Sequence, residues 1–247
     1  MFPIRDHNPS GKTPYVTIAL IAINILVFLS YFPSLTEPEL NRFYTTWGMV
    51  PARIMAGGGY ETVLTSMFLH GGWMHLAGNM LFLWIYGDNL EEEMGPVGFL
   101  AFYLLAGVAA AGLQGLADLD SVVPMVGASG AIAGVMGGYL LLFPRAKVDV
   151  LFIFLVFFRI FALPAWIILG LWFAIQIFSG LSTPGAGGGV AYWAHAGGFI
   201  AGLILTLPVW TWRGARGYWQ KTEGHPPHPE TDFAASRSNV PLIRRRR

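Results

Sequence analysis

The chain has 247 residues, of which 54% are hydrophobic and only 12% are charged, with a formal net charge of +1 and no cysteine. Ordinary soluble domains carry about 25% charged residues, so a soluble fold of this composition would leave much apolar surface in water. The lack of cysteine excludes disulfides and thiolate metal sites. The near-neutral charge says little by itself, and we expect no nucleic-acid partner.

The charged residues are segregated, leaving five long uncharged segments: 13–36, 62–87, 94–117, 121–144 and 160–212. Each can hold a membrane span of about 20 apolar residues, and the last can hold two. The predicted spans are residues 14–32, 73–90, 97–116, 129–143, 164–178 and 190–210. The sequence therefore predicts an all-α polytopic membrane protein, a bundle of six transmembrane helices.

The chain divides into three parts. Residues 1–13 form a polar N-terminal segment that is too short for a folded domain, and residues 14–210 form the six-helix membrane core. Residues 211–247 end in four arginines, and their composition predicts a disordered basic tail. Basic residues in both ends and in the 145–147 loop predict that these parts are cytoplasmic. The terminal arginines are either a topology signal, which we favour, or a hold on anionic lipid.

The stretch 148–179 is too long for one helix across about 30 Å of hydrocarbon. Arg159 and Pro164 divide it, so we expect its first half to lie along the cytoplasmic interface, where Arg159 can reach headgroups. The fifth span then begins at Pro164. A Gly-rich segment, 183–189, predicts a flexible linker to the sixth span.

One Gly/Ala-rich apolar run, residues 126–138, carries a single hydroxyl, that of Ser129, with Gly127 and Gly130 beside it. Small residues let a helix approach another helix or a substrate chain closely. A lone serine in such a run is more often a packing residue than a nucleophile. This segment alone therefore predicts only a close helix contact.

Histidines on two other spans change that interpretation. His75 begins the second span, with Asn79 on the same helix face one turn later, and His195 begins the sixth. With six spans, all of them fall in the same leaflet as Ser129. Ionisable groups inside apolar spans are rare and costly, which favours a functional role for this cluster.

Glycines supply the means to bring two of these side chains together. Gly198 and Gly202 form a small-residue face just after His195, and the fourth span has a similar face that includes Gly130. We expect the two spans to press together and to place the Ser129 hydroxyl within hydrogen-bond distance of the His195 ring. Such a base is needed because a free serine hydroxyl is a poor nucleophile.

These motifs resemble those of the rhomboid intramembrane serine proteases, in the minimal six-span bacterial form. The resemblance covers residues 14–210. The motifs follow one another on spans two, four and six: His70 with His75-x-x-x-Asn79, Gly-Ala-Ser129-Gly, and Ala-His195-x-x-Gly198-x-x-x-Gly202. The resemblance implies a multi-pass protein of the bacterial plasma (inner) membrane that needs neither cofactor nor metal.

The resemblance also implies a role for each residue. Ser129 would attack a peptide carbonyl in a transmembrane protein substrate, and His195 would accept and return its proton. The backbone N–H of Ser129 and the side chains of His75 and Asn79 would stabilise the oxyanion. His70 matches a structural position beside the site. Membrane lipids are the remaining expected partners, and the oligomeric state stays open.

Three other functions compete with proteolysis. A catalytically idle rhomboid-like binder of membrane helices is the main alternative, although it could lose Ser129 or His195 without penalty. A transporter would need polar groups at several depths and internal repeats, which the sequence does not contain. A zinc enzyme is disfavoured because no His-Glu-x-x-His motif is present.

The sequence departs from the family where some members place a tyrosine under the catalytic histidine, because this chain has Ala133 there. Another aromatic residue or plain packing must then support the ring, and Tyr139 and Trp193 are the candidates. The fifth span, which carries Trp172 and Phe173, is the expected mobile gate for substrate access. Replacing either residue with alanine should then speed cleavage.

Overall fold

The computed structural model describes residues 2–154, 157–183 and 190–231. These residues form ten α-helices and three β-strands. The helices are α1 Tyr15–Tyr31, α2 Glu37–Trp47, α3 Pro51–Met55, α4 Thr62–Thr65, α5 Trp73–Met94, α6 Pro96–Ala117, α7 Ser129–Leu142, α8 Ala165–Ser182, α9 Tyr192–Trp212 and α10 Arg216–Thr222. The strands are β1 Phe2–Asp6, β2 Lys147–Phe154 and β3 Phe157–Pro164.

The predicted helical membrane bundle is confirmed, and its six long helices coincide with the predicted spans. Helix α7 is the central element, since it packs against α5, α6, α8 and α9 and buries 11 of its 14 residues. Three helices are long and apolar enough to cross a membrane by length and composition alone, namely α6, α8 and α9. Helices α1 and α7 are apolar but shorter, and α5 ends in an acidic run.

Helices α7 and α9 are in backbone contact, as their glycines predict. A side-chain carbon on Gly198 would overlap the carbonyl oxygen of Gly130, and one on Gly202 would overlap that of Gly134. The two backbones can meet only because these positions lack a Cβ. This contact fixes the spacing between α7, which begins with Ser129, and α9, which carries His195 in its first turn.

A small antiparallel sheet of order β1-β2-β3 lies at the end of α7 away from Ser129, where Asp6 of β1 contacts Tyr139. The stretch expected to lie along the interface is the hairpin β2–β3, and the N-terminal segment supplies the third strand. Asp149 joins them through Arg5 Nε and His7 Nε2, each 2.7 Å from a carboxylate oxygen. The N-terminal segment is too short to fold alone, but it orders as an edge strand on this hairpin.

The tail differs from the expected disorder over its first part. Helix α10 folds back on the bundle, where Tyr218 is buried and Trp219 Nε1 donates a hydrogen bond to the carbonyl of Leu141 at 2.9 Å. Two large aromatic side chains bury enough apolar surface to hold this segment, which a compositional argument overlooks. The terminal arginines lie outside the described residues, as does 184–189 of the expected linker.

The acidic run at the end of α5 connects three parts of the fold. Glu91 accepts hydrogen bonds from the backbone N–H groups of Val16 and Thr17 at 2.9 and 2.8 Å, which satisfies the first turn of α1. Glu93 lies 2.9 Å from Arg213 Nε, at the end of α9. Glu92 accepts a hydrogen bond from the N-terminal segment, at Ser10 Oγ. These contacts hold the ends of the bundle together.

Candidate active site

Ser129 is the first residue of α7 and is half-buried. The turn before it depends on Gly127, whose φ of +134° is unfavourable for residues with a side chain, and whose N–H donates to the carbonyl of Ser66 at 2.9 Å. The first N–H groups of a helix have no partner within the helix. The Ser129 hydroxyl and its backbone N–H therefore lie together at the positive end of the α7 dipole.

His195 lies on the first turn of α9, opposite Ser129. Its Nε2 atom is 2.9 Å from Ser129 Oγ, which is hydrogen-bond distance. The structure thus brings together the two residues that the sequence analysis paired. The α7–α9 backbone contact lies directly below them, so the glycine face sets the distance between the two side chains.

His75 lies on α5 and approaches Ser129, and Asn79 lies one turn later on the same helix. A side-chain carbon on Gly127 would lie 2.9 Å from His75 Nε2 and 3.3 Å from Ser129 Oγ, so these two atoms are at most about 6 Å apart. Asn79 is buried, and its Nδ2 has no hydrogen-bond partner among the described residues. A buried amide donor without a partner costs free energy unless a ligand uses it.

His70 lies in the connection just before α5, and its backbone is held on both sides. The Tyr31 and Tyr44 hydroxyls lie 2.8 and 2.9 Å from its carbonyl oxygen, to which they donate, and its N–H donates to Tyr31 at 2.8 Å. Its ring meets that of His75 edge to face, with centroids 5.1 Å apart. These contacts fix the loop that leads into the helix of His75.

Two residues on α8 contact the His195 ring: Gln176, which the sequence did not single out, and Trp172, which it indicated only as part of a gate. Gln176 Oε1 is 2.8 Å from His195 Nδ1, and the Trp172 ring lies 5.7 Å from the imidazole, tilted by 35°. The candidates Tyr139 and Trp193 were wrong. Tyr139 donates a hydrogen bond to Asp6 at the other end of the bundle, and Trp193 packs beside Gly180. A glutamine and a tryptophan in an apolar span are only a weak indication of a role in the site. Their contact with His195 depends on the rotation of α8 about its axis, which the sequence does not give.

Among the described residues, no carboxylate contacts the His195 imidazole. Within the residues that the structure describes, the two ring nitrogens of His195 contact the serine hydroxyl and the Gln176 amide oxygen. A buried carboxylate in an apolar bundle would be costly without a paired charge. The arrangement can activate a hydroxyl by proton transfer to a neutral imidazole.

Comparison with known proteins identifies the family. The family described as Rhomboid domain matches residues 57–212. The mitochondrial Rhomboid protein 1 of Saccharomyces cerevisiae is 30% identical over 197 residues, which cover 75% of this chain and 51% of the yeast protein. The Rhomboid protease GluP of Bacillus subtilis is 33% identical over 202 residues, which cover 81% of this chain and 36% of the Bacillus protein.

A human relative, the mitochondrial Presenilin-associated rhomboid-like protein, is 27% identical over 136 residues, covering 54% of this chain and 34% of that protein. The aligned part thus amounts to about half of the yeast relative and about a third of the other two. The family match covers more than half of the chain and includes Ser129, His195, His75 and Asn79. This chain belongs to the rhomboid family.

Proposed function

We propose that this rhomboid is an intramembrane serine endopeptidase that hydrolyses peptide bonds in or near the transmembrane segments of single-span membrane proteins. One observation carries the proposal: Ser129 Oγ lies 2.9 Å from His195 Nε2 inside an apolar helical bundle. A serine in a membrane helix is often only a small residue that lets two helices pack closely. That role does not require an imidazole at hydrogen-bond distance from the hydroxyl. The relative named as a protease, GluP, supports the same activity.

In the proposed reaction His195 is the general base. Nε2 takes the proton as Ser129 Oγ attacks the scissile carbonyl carbon, and it then protonates the leaving amine nitrogen as the peptide bond breaks. A water molecule activated by the same nitrogen attacks the acyl-enzyme and releases the second product. The first proton transfer needs the α7–α9 distance seen here, because His195 Nε2 must lie within hydrogen-bond reach of Ser129 Oγ.

The oxyanion that forms on the carbonyl oxygen would be stabilised by three donors: the Ser129 backbone N–H, His75 Nε2 and Asn79 Nδ2. Asn79 Nδ2 is buried and has no hydrogen-bond partner among the described residues, which supports this role, because a donor held ready for a transition-state charge has no ground-state partner. The N-terminus of α7 adds a favourable dipole. Donors of this kind each contribute about 10²–10³-fold to the rate.

The length of α7 supports a reaction below the membrane surface. Its 14 residues rise about 21 Å, less than the roughly 30 Å of hydrocarbon, so Ser129 can lie within the outer leaflet when Leu142 reaches the inner surface. Basic residues at the opposite end, Arg145 and Lys147, favour a cytoplasmic location for that end and for both termini. We propose the bacterial plasma (inner) membrane as the location, with its lipids and transmembrane substrates as partners.

Purified protein reconstituted in liposomes with a single-span substrate tests the proposal. The parent should cleave, and Ser129→Ala and His195→Ala should each lose at least 10³-fold in kcat. Equal cleavage by all three proteins would refute the proposal and attribute the activity to a contaminant. The alternative, an idle binder of membrane helices, would be supported if the folded parent bound the substrate without cleaving it and Ser129→Ala bound it with the same affinity.

A further inference from the structure

We infer that Gln176 is a positioning residue for the base: it orients the His195 ring and fixes which ring nitrogen carries the proton. This inference rests on the proposed function. The amide oxygen of Gln176 lies 2.8 Å from His195 Nδ1, on the side of the ring opposite the serine. An amide oxygen only accepts hydrogen bonds, so the proton of the neutral imidazole stays on Nδ1. Nε2 is then unprotonated and faces the Ser129 hydroxyl.

The orientation of the amide is itself defined by a second contact. The Nε2 group of Gln176 lies 3.4 Å from the carbonyl oxygen of Trp172, one turn earlier on α8, to which it donates. With the nitrogen directed toward this carbonyl, the oxygen faces the imidazole. Gln176 is 8% exposed, so water does not compete strongly for the amide. The Trp172 ring, 5.7 Å from the imidazole, limits rotation of the ring out of this position.

A neutral amide suits this place in the membrane better than a carboxylate. When His195 accepts the serine proton, the positive charge is shared by Nδ1–H, and the amide dipole stabilises it without a buried anion in the resting state. In a bundle where no carboxylate contacts the ring among the described residues, Gln176 performs the orienting role that a carboxylate performs in many serine proteases.

The position of Gln176 links the base to α8, the helix expected to gate substrate access. Helix α8 is held on α9 by the stacked rings of Phe173 and Phe199, whose centroids are 4.6 Å apart. Movement of α8 away from α9 would break the hydrogen bond between Gln176 and His195. The base is therefore correctly oriented only while α8 lies against α9.

The test compares Gln176→Met, Gln176→Glu and the control Ser179→Ala in liposomes with a single-span substrate. Methionine keeps the length of the side chain but lacks a strong acceptor. It should lower kcat about 10–100-fold, the factor expected for a hydrogen bond to a group that becomes charged, with KM changed less than about twofold. Glutamate keeps an acceptor oxygen at the same place and should restore kcat to within about tenfold of the parent. Ser179→Ala, also on α8, should match the parent.

Three results would overturn the inference: an unchanged kcat in Gln176→Met, an effect confined to KM, or equal loss in the methionine and glutamate variants, which indicates a purely structural role. Thermal unfolding of each variant separates loss of folding from loss of catalysis. Ser129→Ala is measured in parallel. If it retains the parent rate, the proposed function fails and this inference fails with it; if it is inactive while Gln176→Met is fully active, only the positioning role fails.

Discussion

Replacing Asp6 with asparagine should stabilise the protein at alkaline pH. Asp6 ends β1 and is 8% exposed, and its Oδ2 accepts hydrogen bonds from Asn89 Nδ2 at 2.8 Å and from the Tyr139 hydroxyl at 3.1 Å. Burial, followed by the nearby Asp88 carboxylate, raises the pKa of Asp6 from 3.8 to about 7, and the hydrogen bonds oppose this only in part.

The sign of the effect follows from the direction of the shift. Because the pKa of Asp6 is higher in the folded state than in the unfolded state, the folded state binds the proton more tightly. The contribution of Asp6 to the free energy of unfolding is complete below about pH 4 and is lost as the pH rises through 7. Between pH 5.5 and pH 8 the loss is about 2 kcal/mol, or about 4–8 °C in Tm for a chain of this size.

Thermal unfolding in detergent at these two pH values measures the effect. Asp6→Asn keeps an acceptor for Asn89 and Tyr139 but has no charge to bury, so it should lose about 2 kcal/mol of the pH dependence shown by the parent and exceed the parent in Tm at pH 8. Asp149→Asn is the control on the neighbouring strand. Burial favours a higher pKa for Asp149, but the hydrogen bonds and charges of His7 and Arg5 lower it.

The Asp149→Asn variant should therefore lose stability at both pH values, since Asp149 is ionised throughout this range and its contacts with Arg5 and His7 are weakened. The reasoning about Asp6 would be wrong if the parent and Asp6→Asn showed the same difference in Tm between pH 5.5 and pH 8. If Asp6→Asn lowered Tm relative to the parent more at pH 8 than at pH 5.5, the predicted sign would be contradicted.

Three further predictions concern the site. Gly198→Ala places a carbon against the Gly130 carbonyl oxygen and should force α7 and α9 apart by about 1 Å, which should lower kcat at least tenfold. The control Gly112→Ala should leave cleavage unchanged, because among the described residues its new carbon would meet no atom within 4 Å. Asn79→Ala should lower kcat about 10²–10³-fold in the same assay without lowering Tm, because its Nδ2 has no partner to lose among the described residues. Phe173→Ala removes the stack that holds α8 on α9 and should raise the cleavage rate of a transmembrane substrate several-fold, because entry past α8 becomes easier. Labelling of Ser129 by a small phosphonate, which needs no gate, should stay the same or fall as the Gln176–His195 contact loosens, and an equal rise in both would count against a gate.

Much of the bundle could be predicted from the sequence because each of its signals is local. Charge-free segments of sufficient length define the helices, and the spacing of Gly198 and Gly202 after His195 indicates which face of α9 meets α7. The order of spans then places Ser129, His75 and Asn79 at one end. No tertiary information is needed for these inferences, and the structure has the same helices and brings Ser129 and His195 together.

The features that could not be predicted depend on rotation of a helix or on pairing between distant segments. Gln176 and Trp172 face the imidazole only because of the way α8 turns against α9, and an apolar helix with a small amphipathic signal does not reveal its rotation. Pairing of β1 with β2 joins segments more than 140 residues apart. Glu91 stabilises the start of α1 through backbone groups that no side-chain pattern marks.

The most direct measurement is covalent labelling of Ser129 in the reconstituted protein. A fluorophosphonate reacts with an activated serine and needs no knowledge of the substrate, and peptide mass spectrometry locates the adduct. We expect one phosphonylated residue, Ser129, with labelling reduced at least 100-fold in His195→Ala and absent in Ser129→Ala. A folded parent that stays unlabelled, or one labelled equally well in His195→Ala, would contradict the claim that these two residues form a nucleophile and its base.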